Sequence, residues 1–168
     1  DTVGAEWDSP AGLTRGLITA ATDIETRLTK QQKNDLYTKR VNALIPFPQG
    51  VAVWGNKNLQ AIPSALNRIN VRRMLIAVEK FISSASQYLV FENNTTSTRK
   101  RFENIVRPYL TTVQSRNGLY AFEVKMDETN NTAEVIDANQ LYGQIWLQPA
   151  KSSEFVIIDF NITPTGAS

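Results

Sequence analysis

The sequence predicts an α+β fold: a mixed, largely antiparallel sheet with two long adjacent helices packed on it and extended arms at the termini. Three observations predict it. Apolar residues recur at spacings of three and four over residues 71–89 and again over 102–113, marking two amphipathic helices in succession. The period then falls to two, with Tyr120, Phe122, Val124 and Met126 alternating against polar neighbours. Before the helices, the β-branched run Val51-Ala52-Val53-Trp54 lies between Gly50 and Gly55 and reads as a strand. Strand, helix pair, then strands is the order of a layer of helices on one face of a sheet.

Taken in order, the opening Trp7-Asp8-Ser9-Pro10-Ala11-Gly12 is rich in turn formers and reads as an irregular lead-in, with Leu17, Ile18 and Ile24 free to pack. Residues 29–36 are polar and favour a helical turn or two, followed by residues 41–45 and a Pro46-Phe47-Pro48-Gln49-Gly50 turn. The first long helix carries Val71, Met74, Leu75, Val78, Phe81, Ile82, Ala85 and Leu89 on one face. Asn93 and Asn94 break it, and Asn94 or Thr95 caps a second helix with Phe102, Ile105, Val106, Tyr109, Leu110 and Val113 inward. Pro108 is expected to kink that helix, and Asn117-Gly118 to close it, with glycine in the left-handed conformation. A polar loop over 127–132, a helical turn over 135–139 and a strand over 141–148 ended by Pro149 follow. The last strand is expected over 155–162.

A chain of 168 residues, 42% hydrophobic and 20% charged, can bury one core of ordinary domain size. It has no cysteine and no histidine, which removes disulfides, thiolate nucleophiles, the usual zinc sites and imidazole catalysis. No enzyme activity and no cofactor is expected. Apolar stretches such as 155–158 fall far short of the ~20 residues a spanning helix needs. The chain opens on Asp1 with no pattern of a signal peptide, and it is expected to have been cut from something longer.

The net charge of +2 conceals a strong asymmetry. Residues 1–67 carry 7 basic and 6 acidic side chains, a net +1; residues 68–116 carry 9 and 3, a net +6; residues 117–168 carry 2 and 7, a net −5. Such a division suits either nucleic-acid binding through the basic middle or the meeting of one copy's basic face with another's acidic face. Arg99-Lys100-Arg101, with Arg68, Arg72, Arg73 and Arg107, is the densest basic group. No aromatic residues are interleaved to stack on bases, since Phe102 and Tyr109 belong to the helix's apolar face, so a solvated or protein-contacting surface is the preferred reading.

Asp127, Glu128, Glu134 and Asp137 match no calcium-loop spacing and lack the glycine such a loop needs, so no metal site is assigned. The triplets beginning at Asn93, Asn130 and Asn161 fit a glycosylation pattern that matters only in a secreted protein. More informative is the C-terminal run Phe155, Val156, Ile157, Ile158, Asp159, Phe160, Asn161, Ile162, which puts apolar groups on both faces of a strand. Such a strand is either central in the chain's own sheet or a pairing element for another chain.

Several segments together resemble the C-terminal region of tail sheath proteins from contractile-tailed bacteriophages. They are Trp7-x-x-Pro10-Ala11-Gly12-x-x-Arg15-Gly16, Gly50-Val51-Ala52-Val53-Trp54-Gly55, Arg68-Ile69-Asn70-Val71-Arg72-Arg73, Phe91-Glu92-Asn93-Asn94, Asp127-Glu128-Thr129-Asn130-Asn131 before Val135-Ile136-Asp137, and Pro149-Ala150 before Glu154-Phe155-Val156-Ile157. The resemblance covers nearly all of residues 1–168, divided into an N-terminal arm over about 1–28, a core over about 29–149 and a C-terminal strand or arm over about 150–168. It implies a structural subunit that assembles with copies of itself around an inner tail tube, meets baseplate and tail terminator proteins, and contracts to drive the tube through the host envelope. Neither direct nucleic-acid binding nor membrane insertion is implied. Its place would be the virion's tail sheath, assembled in the host bacterial cytoplasm. Phe155 to Ile162 would be the strand exchanged between subunits, and Arg72, Arg73, Arg99, Lys100 and Arg101 would face the tube or a neighbour. The rival readings are the sheath of a phage-like injection device and a nucleic-acid-binding module using the basic helices.

Overall fold

The computed structural model describes residues 5–158. In chain order the elements are β1 (Leu17–Ile18), α1 (Lys30–Thr38), β2 (Ala43–Phe47), β3 (Gly50–Trp54), α2 (Ile69–Gln87), α3 (Thr96–Ser115), β4 (Leu119–Lys125), α4 (Ala133–Asp137) and β5 (Gln144–Pro149). The α+β class and the antiparallel pairing are as expected. The strands form two sheets, one ordered β1-β3-β2 and the other β4-β5.

The first sheet is a hairpin with a short third strand. Pro48-Gln49 turns β2 into β3, pairing Ala43 with Trp54 and Phe47 with Gly50. Pro46 has no amide hydrogen to donate, which confines β2 to the outer edge where it is found. Val51 and Ala52 on the central strand are almost completely buried. β1, read from sequence only as residues available to pack, pairs Leu17 with Ala52.

The main core lies between α2, α3 and the β4-β5 sheet. Val71, Met74 and Val78 of α2 meet Phe102, Val106, Leu110 and Val113 of α3, and Leu119, Val124 and Met126 close the far side. Phe81 and Tyr109 stack across the helix pair, ring centroids 3.9 Å apart. Thr95 caps α3, its hydroxyl accepting from the Thr98 amide at 3.3 Å. Pro108, where a kink was expected, lies inside α3 without interrupting it, and the helix runs on to Ser115. Pro108 and Asn104, whose carbonyl loses its helical donor, both face solvent, where water can take the donor's place.

Two sequence expectations are corrected here. Asn117, not Gly118, takes the left-handed conformation at the end of α3, with φ 62°. Gly118 is required for closeness instead, because a Cβ there would lie 2.6 Å from Val113 and 2.8 Å from the Trp7 ring. Tyr120 is exposed where alternation placed it inward. A register shift between Leu119 and Ala121 inserts one residue, so Leu119 fills that core position.

The lead-in is part of the body rather than an arm from residue 5 onward. Trp7 is buried in the core and its indole nitrogen donates to the Arg116 carbonyl at 2.9 Å, while Asn70 donates to the Trp7 carbonyl at 3.2 Å. At the other end, residues 155–158, expected as a strand, form neither helix nor strand and lie outside both sheets. Asp159, Phe160, Asn161 and Ile162 of the expected strand lie outside the described residues.

Gly118→Ala is expected to destabilise the domain by about 1–3 kcal/mol through overpacking against Trp7. Asn117→Gly, at the neighbouring positive φ, should be neutral or stabilising within about 1 kcal/mol. Urea unfolding of both variants checks this, and equal losses would refute the division of roles.

Candidate functional site

The surface that draws most notice is the chain's exit from the body after β5. Phe155, Val156, Ile157 and Ile158 are 65–87% exposed among the described residues, four large apolar residues in succession. Immediately before them, Glu154 is held against the body. Its carboxylate accepts from the Arg68 guanidinium through both oxygens and from the Tyr37 hydroxyl, with Arg68 Nη2 at 3.1 Å from Oε2. Arg68 and Glu154 are both largely shielded, with side-chain exposures of 28% and 18%. Lys57 Nζ stands 3.3 Å from the centre of the Tyr37 ring and donates to the Tyr37 carbonyl at 3.0 Å. Phe155 meets the Tyr37 ring edge to face at 6.0 Å. Two residues earlier, Ser152 accepts from Asn56 Nδ2 at 3.2 Å, and the same amide donates to Asn70 Oδ1 at 2.7 Å.

The local sequence explains this arrangement. Arg68 occupies the N-cap position of α2 with extended backbone and makes no capping bond, so its side chain is free to reach away from the helix. A cation at a helix N-terminus is unfavourable, and the Glu154 carboxylate beside it offsets that charge. Lys57 and Arg68 are themselves paired across an isolated β-bridge, and Ile69 donates to the Asn56 carbonyl, which fixes the loop that carries Lys57. Burial pushes the Glu154 carboxyl up, but the Tyr37 hydroxyl and the Arg68 guanidinium outweigh it and hold it below the ordinary carboxylate range. Burial, then Glu154, raise the Tyr37 phenol, and burial, then Arg68, lower the Lys57 ammonium.

The five basic residues singled out from sequence separate into different environments. Arg72, Lys100 and Arg101 are exposed and Arg73 is half-buried. Arg99 is buried at 5% exposure: its guanidinium donates to Asn94 Oδ1 at 2.8 Å and Thr96 Oγ1 at 3.1 Å, with Glu128 at 3.6 Å. A surface role for Arg99 is thus replaced by a structural one. Asn94 in turn donates to Asn131, which is buried and bonded to both the amide and the carbonyl of Tyr142. The Asp127 loop is closed by its own side chains, Thr129 donating to Asp127 Oδ1 through amide and hydroxyl at 2.8 and 2.6 Å. Among the described residues no group of acidic side chains is arranged to hold a metal ion, and no helix is long and apolar enough to cross a membrane.

The family model for the phage tail sheath C-terminal domain matches residues 62–163. The chain belongs to that family. It is 39% identical over 99% of its length to the tail sheath protein of Vibrio phage KVP40 and 34% identical over 99% to that of Enterobacteria phage T4. It spans 25% and 26% of those two proteins, about a quarter of each. Its fold is similar to a chain of the anti-feeding prophage baseplate, with TM-score 0.83, 26% identity, and 95% of this chain against 46% of that one. It is similar also to the anti-feeding prophage helical sheath in its contracted state, with TM-score 0.82, 26% identity, and 93% against 45%. In this sheath domain the resemblance segments around Arg68 and Glu154 are brought together by one ion pair, and those around Asn94 and Asn131 by one hydrogen bond.

Sequence reasoning singled out the strand after Glu154 and missed its anchor. Lone Glu, Tyr and Arg residues separated by 117 and 86 positions carry no periodic signal. Their only trace was the presence of Arg68 and Glu154 within resemblance segments.

Two outcomes follow. Arg99→Ala should cost about 1–3 kcal/mol through loss of its buried side chain's packing and hydrogen bonds, whereas exposed Lys100→Ala should stay within about 0.5 kcal/mol, as read by thermal or urea unfolding. Glu154 has a folded-state pKa below its unfolded value, so its stabilisation is complete above the ordinary carboxylate range and is lost as pH falls through the depressed value. The melting difference between wild type and Glu154→Gln should therefore shrink on acidification below that range; a difference independent of pH would refute the ionic contribution.

Proposed function

We propose that the chain is the sheath-forming part of a structural subunit that polymerises with copies of itself around an inner tail tube and shortens to drive the tube through the host envelope. The observation that carries this is similarity to phage tail sheath proteins along virtually the entire chain. The subunit acts mechanically and not as an enzyme, and no cofactor enters. Its partners are neighbouring sheath subunits, the inner tube protein, the baseplate and the tail terminator. The assembly resides in the virion tail after formation in the host bacterial cytoplasm. Neither nucleic acid nor membrane is a direct partner.

The exposed apolar run at Phe155, Val156, Ile157 and Ile158 supports exchange of a strand with a neighbour, continuing through Asp159, Phe160, Asn161 and Ile162. Such head-to-tail contacts do not close on themselves and so propagate. Of the basic residues, Arg72, Arg73, Lys100 and Arg101 face the tube or a neighbouring subunit, while Arg99 serves the interior. A second reading, the sheath of a phage-like injection device, is favoured by the likeness to the contracted anti-feeding prophage sheath. The two readings share the same assembly chemistry.

Electron microscopy of the full-length subunit should show ordered tubes or rings that disappear when the chain is cut before Phe155. A full-length subunit that stays monomeric with and without tube protein would refute the reading. Combined Arg72→Glu, Lys100→Glu and Arg101→Glu should weaken assembly or tube binding, and unchanged assembly and tube binding would remove those residues from the interface. Salt-sensitive DNA binding by the unmodified protein would instead favour the nucleic-acid module.

A further inference from the structure

We infer that the Glu154 carboxylate, gripped by Arg68 and Tyr37, is a positioning residue that fixes where and in what register the C-terminal apolar segment leaves the body toward a second copy of this chain; this rests on the sheath reading above. The bond pattern is specific to a carboxylate. The Arg68 guanidinium approaches both oxygens, which sets the plane of the Glu154 side chain, and the Tyr37 hydroxyl supplies a third donor from a different element. The three groups come from α1, the start of α2 and the segment after β5, so the grip joins α1, which contributes nothing to the core cluster, to elements that do. Lys57, under the Tyr37 ring, fixes Tyr37 in turn through the Tyr37 carbonyl.

The position of the grip is what gives it a function. Residues 151–153 lie outside both sheets, and residues 155–158 are exposed, so among the described residues Glu154 and Ser152 tie this stretch to the body by hydrogen bonds, with the Phe155 ring edge on Tyr37 beyond them. A strand offers opposite faces with each residue, so a root displaced by one position would present Phe155 and Ile157 where Val156 and Ile158 belong. A fixed root also reduces the chain entropy lost when the segment pairs with another subunit. Phe155, leaning on the Tyr37 ring, already points in a set direction before any partner arrives.

The test uses the full-length subunit with Glu154→Gln, Arg68→Met, and the exchanged pair Arg68→Glu with Glu154→Arg. Chymotryptic cleavage after the exposed Phe155 of the unassembled protein should be faster in both single variants, with cleavage within the core unchanged. The concentration at which tubes form should rise on the order of tenfold, the scale of losing a charge-assisted hydrogen bond. The exchanged pair should recover part of both. Cleavage unaltered by Glu154→Gln overturns the grip whatever happens to assembly. Faster cleavage with an unchanged assembly threshold overturns its positioning role while leaving the sheath reading intact. Failure of the wild type to assemble overturns the sheath reading and the positioning role with it, while the cleavage rates still report whether the grip exists.

Discussion

The ion pair between Arg68 and Glu154 is the contact on which the arrangement of the surface depends. The core formed by α2, α3 and the β4-β5 sheet, centred on Leu110 and Val106, includes neither residue of the pair. What it determines is the last boundary between body and outgoing chain. Upstream of Glu154 the segment is tied to Asn56, Arg68 and Tyr37, and beyond it four apolar side chains stand in water. A charged grip suits this position because it is satisfied within one chain. The backbone of the segment that follows is thereby left to pair elsewhere.

Exposure of those four residues is a cost that the proposed assembly would remove. Fully burying a large apolar side chain contributes about 1.5–3 kcal/mol, so the run offers roughly 6–12 kcal/mol. Ordering its backbone costs about 1–2 kcal/mol per residue, which cancels roughly 4–8 kcal/mol of that gain. A single such contact is therefore weak, and a lattice in which every subunit both gives and receives one is strong by number.

The elements with strong periodicity were legible in sequence: both long helices, their order, the alternating strands after them, and the strand at Val51. Packing at single positions was not. Tyr120 was placed inward because alternation cannot show the extra residue that shifts the register by one. Gly118 was assigned to backbone freedom because composition cannot reveal that Trp7, 111 positions earlier, lies against it. Arg99 was grouped with its basic neighbours, although on a helix it points a different way from Lys100 and Arg101, toward Asn94. The apolar run at the C-terminus was visible because it is contiguous; its anchor was not, because its partners come from distant segments.

That difference between body and outgoing segment bears on how a lattice of such subunits could shorten. In a sheath whose subunits move largely as rigid bodies, the connections between them must bend while the bodies do not. Here the bodies are well defined: Trp7 ties the lead-in to α3, Asn131 ties the 127–132 loop to Asn94 and Tyr142, and Glu154 ties down the exit. Rotation between neighbours would then fall on the few residues just past Glu154, which among the described residues lean on the body through the Tyr37–Phe155 ring pair. A strand paired by backbone hydrogen bonds at one end and rooted by a bidentate ion pair at the other can change direction without either end letting go. The link between subunits would thus persist through a change of lattice.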